Sequence, residues 1–252
     1  MENVFVPNYD KTVAELDAAF RLKASFDLLG REVKVGSRRA RLYLVDGFCK
    51  DDLMEKIMAY FMKATDDVIQ GLADTRAFAD TYVPYVETDV VAKRGEFITA
   101  VLSGAVGMIV EGFAEAIVID ARTYPSRSVD EPENDRVLRG AHDGFVETIV
   151  FNTALIRRRI RDTALTMEAH SAGEKAKTDI VICYMDGKAK PELLDVVRKK
   201  IDGIRINSLS MSQQSLIECI VPKQRYNPVP KVRYTERPDA VAASVPEGSI
   251  VI

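Results

Sequence analysis

The chain lacks the motifs of the common enzyme classes. It contains no glycine-rich nucleotide-binding loop, no H-E-x-x-H zinc motif and no G-x-S-x-G nucleophile elbow. Its two histidines, His142 and His170, have no second ligand at a spacing that binds a metal ion. Asp46 and Asp186 each precede a glycine after an apolar run, which is typical of a turn rather than of paired catalytic acids. We therefore predict a non-enzymatic protein with no catalytic residue, no metal and no cofactor.

Cysteine is scarce, and a long apolar run is missing. Cys49, Cys183 and Cys219 are too few and too scattered for a disulfide framework, which indicates a reducing compartment. The first residues contain no apolar core of the kind that follows a basic segment in a secretory signal. The most hydrophobic region, 97–119, is broken by Glu111 and Glu115, whereas a membrane-spanning helix needs about 20 mostly apolar residues. We expect the chain itself to be soluble.

Charge of one sign is not in excess. The chain has 35 basic and 38 acidic residues and a net charge of -3, so it has no overall attraction for nucleic acid or for an anionic membrane surface. A nucleic-acid partner is therefore not expected. Its 252 residues, 47% of them hydrophobic, suffice for one large domain or two ordinary ones.

Two parts of the chain repeat the same order of patterns. An apolar run ends in Asp-Gly at positions 46–47 and again at positions 186–187, and the separation from 47 to 187 is 140 residues. A helical pattern follows each turn, over 51–62 and over 191–201. The order predicts a mixed α+β fold with two small α/β subdomains of related topology, although two unrelated α/β domains would share part of this likeness.

The same separation extends the comparison towards the end of each half. It relates Val101 to Val241, each in a short helical pattern that leads through Glu-Gly to a final strand. Those strands are expected at 116–120 in the first half and at 249–252 in the second.

Composition divides the chain into three parts. Residues 1–121 are predicted to form an N-terminal helix and the first subdomain, with the helical pattern over 12–29. Residues 122–137, rich in proline, serine and charge, are predicted to be a linker, and residues 138–252 the second subdomain.

The most informative segment is a central block at residues 139–162, an apolar helical face that ends in a cluster of arginines. Asp143 is placed to cap the helix at its start, and the arginines lie at its negative C-terminal end. One buried face is predicted from residues at three- and four-residue steps, namely Phe145, Ile149, Asn152, Ile156 and Ile160.

The arginines of the block allow two interpretations. Three consecutive arginines spread over a wide arc of a helix and cannot all point into one pocket, so a solvated helix end is the simple one. The alternative hypothesis is an ion-pair network between domains or subunits, because arginine binds carboxylates in bidentate geometry. Its candidate members are Arg127, Glu131, Glu133, Arg136, Arg139, Glu147, Arg157, Arg158 and Arg159.

A second informative segment, T-E-R-P-D at 235–239, has the pattern of a helix start. Thr235 is expected as the N-cap and Pro238 in the first turn. Local capping is the simple interpretation. The alternative is that Glu236, Arg237 and Asp239 pass contacts to whatever follows in the chain.

Together these segments resemble a known family. The run RGAHDGFVETIVFNTALIRRRIRD, preceded by E-P-E at 131–133 and followed by TERPD, is similar to the GerA family of spore germination proteins. The resemblance covers roughly residue 42 to the end. The V-D-G-F turn at 45–48, A-R-T-Y-P at 121–125 and the HDGFVET form of the block resemble the branch of stage V sporulation protein AF.

The resemblance implies a location and a set of partners. It implies a C-terminal membrane domain of several helices beyond this chain, so that membrane attachment would come from that region. It also implies a place at the spore inner membrane, with this domain on the cytosolic side. The implied partners are copies of the full-length protein, as a homo-oligomer, and other spore membrane germination proteins. Glu236, Arg237 and Asp239 then become candidates for coupling to the membrane domain.

The implied function is regulation and assembly of a membrane channel or receptor in germination. A different class, a small-molecule sensor that binds a nutrient or metabolite in an inter-domain cleft, remains open, because two α/β units joined by a hinge resemble small-molecule binding proteins.

Overall fold

A computed structural model describes residues 4–5, 8–49, 51–65, 69, 71–72, 74–123, 143–209, 213–221 and 232–252. The helices described are α1 (Tyr9–Ala19), α2 (Asp51–Phe61), α3 (Thr75–Tyr82), α4 (Arg94–Leu102), α5 (Ile149–Arg159), α6 (Pro191–Asp202), α7 (Gln213–Ile220) and α8 (Pro238–Ser244), followed by a 3-10 turn (Val245–Glu247). The strands are β1 (Leu28–Val35), β2 (Arg38–Val45), β3 (Thr88–Val91), β4 (Val106–Val110), β5 (Ala116–Ile119), β6 (Leu165–Ala172) and β7 (Thr178–Met185). The predicted mixed α+β class is confirmed.

The chain forms two compact units, and each unit consists of two separate segments of the sequence. The first unit comprises Met1–Ser126 with Thr153–Thr163, and the second comprises Arg127–Asn152 with Ala164–Ile252. The predicted domain bounds of 1–121, 122–137 and 138–252 stay a prediction. The contacts differ from them in one segment, because residues 153–163 group with the first unit.

The first unit is built on a five-stranded antiparallel sheet in the order β1-β2-β4-β5-β3. Strands β1 and β2 form a tight hairpin in which Val35 faces Arg38. Gly36 in the turn has a φ of 56°, a conformation that hairpin turns of two residues require and that glycine adopts without strain.

Alternation along the strands gives this sheet two buried faces. On β2, Tyr43 and Val45 belong to an apolar cluster with residues of α1 and α4, whereas Ala40 and Leu42 belong to a second cluster with residues of α2 and α3. Successive side chains of a strand point to opposite faces, so helices cover the sheet on both sides.

The second unit contains a two-stranded antiparallel sheet, β6-β7, with a further bridge from Cys183 of β7 to Val251. Its core includes Ile182 of β7 with Leu194 and Ile201 of α6. The α6 residues recur at the spacing of one helix face, as the sequence pattern predicts.

The two units share hydrogen bonds that an internal repeat explains. At the first Asp-Gly turn the amide of Asp46 donates to Asp27 O at 2.8 Å, and at the second the amide of Asp186 donates to Ala164 O at 2.9 Å. Gly47 and Gly187 have similar positive φ angles, 81° and 75°. The β-hairpin, the turn and the following helix are thus of the same construction in both units.

The predicted equivalence of the final strands is wrong. Gly104 lies in the segment between α4 and β4, and Gly248 ends the 3-10 turn before residues 249–252. Their φ angles are 103° and 100°, and their amides donate to Val101 O and Val245 O respectively. Val251 then pairs with Cys183 of β7 as β4 pairs with β2, so the counterpart of residues 249–252 is β4 and not residues 116–120. The separation near this end is therefore 248 minus 104, or 144 residues, because the connecting segments differ in length.

A cluster of polar side chains connects α6 to the β6-β7 hairpin of the second unit through hydrogen bonds. Glu168 of β6 accepts hydrogen bonds from Arg198 of α6 at 2.6 and 2.9 Å and from the Tyr184 hydroxyl of β7 at 2.6 Å. These donors, the Arg198 guanidinium first, stabilise the carboxylate and lower the pKa of Glu168 to about 2.

This cluster predicts an acid dependence of the second unit. The pKa of Glu168 is lower in the folded chain than the value near 4.3 of an unfolded glutamate, so its contribution is complete above that value and is lost as the pH falls towards 2. We expect Glu168→Gln to lower the free energy of unfolding by roughly 1.5–3 kcal/mol at pH 6, the range for hydrogen bonds to charged groups, and by much less at pH 2.5. Hydrogen exchange of the β6 amides measures the loss.

Glu192→Gln is the matched control, because Glu192 is an exposed carboxylate on α6, the helix that carries Arg198. An equal loss of protection in both variants, or a loss that does not shrink on acidification, would contradict the assignment.

Candidate functional site

The central block begins its helix later than the sequence predicts. Helix α5 starts at Ile149, so Asp143 is not its N-cap and Phe145 is not on the helix. The reason is a side chain that pairs with backbone. The Asn152 amide accepts from Val146 N at 2.8 Å and donates to Val146 O at 2.6 Å, which holds residue 146 outside the helix.

The segment before α5 is also bonded to the TERPD segment. The amide of Phe145 donates to Glu236 O at 2.9 Å, within the second unit. The two sequence segments that carry the family resemblance are therefore neighbours in space, although they lie far apart in the chain.

The TERPD segment starts α8 in a different way from the prediction. The N-cap is Arg237 and not Thr235, whose hydroxyl instead accepts from Arg237 N at 3.1 Å. Asp239 accepts from Arg237 Nε at 3.0 Å and from the amide of Ala240 at 2.9 Å. The Arg237 guanidinium holds the pKa of the Asp239 carboxyl below its usual range.

The middle of α5 is buried on all sides. Residues Thr153, Ala154, Leu155, Ile156 and Arg157 are all buried, and Ala154 belongs to the first unit's apolar cluster with Leu28 and Tyr43. Five consecutive buried residues cover every side of a helix, which differs from the one-sided stripe that the spacing predicts.

Arg157 has a solvent exposure of 0% and is the largest fully buried side chain among the residues described. Its partner is Asp27, which immediately precedes β1 and is also 0% exposed. Arg157 Nε donates to Asp27 Oδ2 at 2.7 Å, and Nη2 donates to Asp27 Oδ1 at 3.1 Å. This is the bidentate arrangement in which arginine binds a carboxylate most strongly.

Further hydrogen bonds complete the buried pair. The hydroxyl of Ser25 donates to Asp27 Oδ1 at 2.6 Å and accepts from Arg157 Nη2 at 3.2 Å. Arg157 Nη1 donates to Asp162 O at 3.0 Å, just beyond the end of α5. All these residues lie in the first unit, and we call Ser25, Asp27 and Arg157 the buried clamp.

The clamp is suited to holding a helix rather than to catalysis. Both carboxylate oxygens of Asp27 are engaged by donors, so this acid is not available to a substrate. Transfer of two charges out of water costs several kcal/mol each, and bidentate geometry with full hydrogen bonding offsets that cost. Among the residues described, His, Cys, Asp and Glu side chains form no group of three that could hold a metal ion.

None of the other predicted network residues that the structure describes is fully buried. Arg159 donates to Leu155 O at 2.9 Å at the end of α5, Arg158 is half-buried and Glu147 is exposed. Five of the predicted members lie outside the described residues, namely Arg127, Glu131, Glu133, Arg136 and Arg139. The network as a whole stays a prediction.

Sequence reasoning missed Asp27 and Ser25. A usable signal was present, because Arg157 shares a helix face with Ala154 and Ile160 at steps of three residues, and an arginine on an apolar face requires a buried acid. Asp27 is such an acid, since Phe26 and Leu28 flank it.

Within the described ranges, no helix combines the length and the apolar character that crossing a membrane requires.

The chain is similar to a family of spore germination proteins and to proteins of Bacillus subtilis. The family model of the Bacillus/Clostridium GerA spore germination protein matches residues 16–252. Stage V sporulation protein AF of Bacillus subtilis (strain 168) is 41% identical over 233 residues, which is 90% of this chain and 46% of the relative. The uncharacterized membrane protein YfkQ of the same organism is 35% identical over 153 residues, covering 61% of this chain and 29% of the relative.

A solved structure has the same fold. It is the crystal structure of the N-terminal domain of the A subunit of the Bacillus megaterium spore germinant receptor GerK3, with a TM-score of 0.70 and 23% identity. The match covers 98% of this chain and 91% of that chain. By contrast, this chain spans about half the length of the stage V relative. None of these relatives is named as an enzyme.

The clamp predicts a large difference between two arginines of the central block. Arg157→Ala leaves Asp27 buried without its partner, so we expect the free energy of unfolding of the first unit to fall by about 3–5 kcal/mol. Urea denaturation measures this change.

Arg161→Ala is the matched control, because Arg161 is exposed and a surface change of this kind costs no more than about 0.5 kcal/mol. Similar midpoints for the two variants would contradict the clamp.

Proposed function

The chain belongs to the Bacillus/Clostridium GerA family of spore germination proteins, and from that premise we propose that it is a regulatory and assembly domain of a membrane germination protein. The full-length protein would lie in the spore inner membrane, with this domain on the cytosolic side. One relative, YfkQ, is named as a membrane protein, which supports the membrane setting. The relatives' lengths, of which this chain spans about half or less, leave room for a membrane domain in the full-length protein.

The observation that carries the proposal is the construction of α5. Its first residues are bonded within the second unit, through Asn152 and the segment that meets Glu236. Its last turns are bonded within the first unit, through the buried clamp. A continuous helix held by specific polar bonds at each end is suited to pass a change of state along the chain.

The second end of this path is the TERPD segment. The backbone amide of Phe145 donates a hydrogen bond to the Glu236 carbonyl, and α8 then leads to residues 249–252 beside β7. We propose that a shift of α5 reaches the membrane domain through this segment, with Glu236, Arg237 and Asp239 as the coupling residues. The partners would be further copies of the protein and other germination proteins of the spore membrane.

We call this transmission of a shift of α5 to the membrane domain the relay. It is tested by replacing the charged residues of the buried clamp with apolar ones that keep the domain folded. A buried ion pair exchanged for apolar residues of similar volume is often neutral for stability. We expect Asp27→Leu with Arg157→Met in the full-length protein to keep the domain folded and present in spores, and to slow germination, followed as the fall in optical density.

Two controls separate an effect on germination from an effect on folding. Arg161→Ala should germinate as the wild type does, and the melting temperature of the doubly substituted domain reports whether it is folded. A folded double variant that germinates at the wild-type rate would end the relay proposal.

A second candidate function is direct binding of a small molecule. The observation that favours it is the name of the solved relative, the domain of a spore germinant receptor. A ligand that binds only the folded chain raises its apparent melting temperature, so a sensor should respond to at least one amino acid, sugar or nucleoside in a thermal-shift screen. The same temperature with every compound would leave assembly and regulation as the function.

A further inference from the structure

Strand β1 is an edge of the first unit's sheet. Among the residues described, it pairs with β2 on one side and with no strand on the other. The bond from Asp46 N to Asp27 O makes 27 and 46 a hydrogen-bonded pair. Hydrogen-bonded and non-bonded pairs alternate along an antiparallel ladder, so the backbone groups of Leu28, Gly30, Glu32 and Lys34 point outward. Such a row is a template for another strand.

The exposed side chains of this edge carry opposite charges two residues apart. Glu32 and Lys34 are both exposed, lie on the same face of the strand and make no ion pair with any described residue. Their neighbours across the hairpin are arginines, since Glu32 faces Arg41 and Lys34 faces Arg39.

Those arginines already have partners within the first unit, on α1 and just after β4. Arg41 binds Asp17 at 2.8 Å, while Arg39 binds Asp10 at 2.8 Å and Glu111 at 2.9 Å. Lys34 lies opposite a like charge within its own hairpin, which is unfavourable. A carboxylate supplied from the open side would offset this.

We propose that two copies of this chain pair through β1, antiparallel, with the two-fold axis at Val33. In this register Glu32 lies opposite the partner's Lys34, and Lys34 lies opposite the partner's Glu32. Cross-strand pairs of opposite charge stabilise a sheet, and the symmetry supplies two of them.

Neighbouring registers are unfavourable for the same reason. Opposed residues must share a face of the sheet, so the axis passes through a residue. An axis at Arg31, Glu32 or Lys34 would bring two like charges directly opposite each other. Val33 is the centre that matches charges along this part of the strand.

The inference deepens the proposed assembly role, on which it rests for its biological setting. A single strand pair buries less surface than the ~1,600 Å² of a standard interface, so the isolated chain should dimerise weakly. Confinement of full-length copies to one membrane would raise their effective concentration and strengthen the contact.

Cross-linking tests the register directly. Val33 makes its own hydrogen bonds to β2, so its pair across the new contact is non-bonded, with a Cα separation near 4.5 Å that a disulfide can bridge. In a chain with Cys219→Ser, which removes the exposed native cysteine, we expect Val33→Cys to form disulfide-linked dimers under mild oxidation. Leu29→Cys is the control, because Leu29 is 41% exposed but would lie far from its counterpart.

Charge reversal supplies the second arm of the test. In the Val33→Cys chain we expect Glu32→Lys alone, and Lys34→Glu alone, to lower the dimerisation constant about tenfold, since two attractions become repulsions. The double reversal should restore it.

Faster linking at Leu29→Cys, or no rescue by the double reversal, would overturn the proposal. Neither result bears on the relay, because the clamp variants are at positions 27 and 157 and substitute no residue of β1.

Discussion

The buried ion pair between Arg157 and Asp27 is the constraint on which the arrangement of the central block depends. Both side chains are fully shielded from solvent, and together with Ser25 they satisfy each other in bidentate geometry. A charge in such a place is tolerated only with its partner, so the end of α5 must stay where Asp27 is. The clamp therefore explains why residues 153–163 belong to the first unit, although the chain on either side belongs to the second.

Polar bonds of this kind add specificity that apolar packing lacks. An apolar helix can shift along an apolar surface at small cost, whereas a bidentate pair allows one position. The start of α5 is fixed in a similar way by the Asn152 amide on both backbone groups of Val146. The proposed regulatory role would need a second discrete arrangement of α5, in which these polar bonds are exchanged for others. The self-complementary edge at Val33 would then connect this element to a second copy.

The sequence predicts the local construction well where periodicity and turn chemistry decide it. The Asp-Gly turns, the helices after them and the repeated order of elements follow from apolar spacing and from glycine at positive φ. The start of α5 could not be found in this way, because a side chain six residues away competes with the helix for Val146. Arg157 is instructive in the same sense. Its charge indicates a solvated helix end, and only the apolar residues one turn away, Ala154 and Ile160, indicate burial. Its partner Asp27 lies 130 residues earlier in the chain.

The central claim is that Asp27 and Arg157 act as one unit, and a double-mutant cycle measures that directly. The free energy of unfolding is determined for Asp27→Ala, for Arg157→Ala and for the double variant. Our account predicts a large loss for each single variant and little further loss for the double, because the second substitution removes a charge already left unpaired. Losses that simply add would mean that the two side chains are not coupled, and would contradict the clamp and the relay built on it.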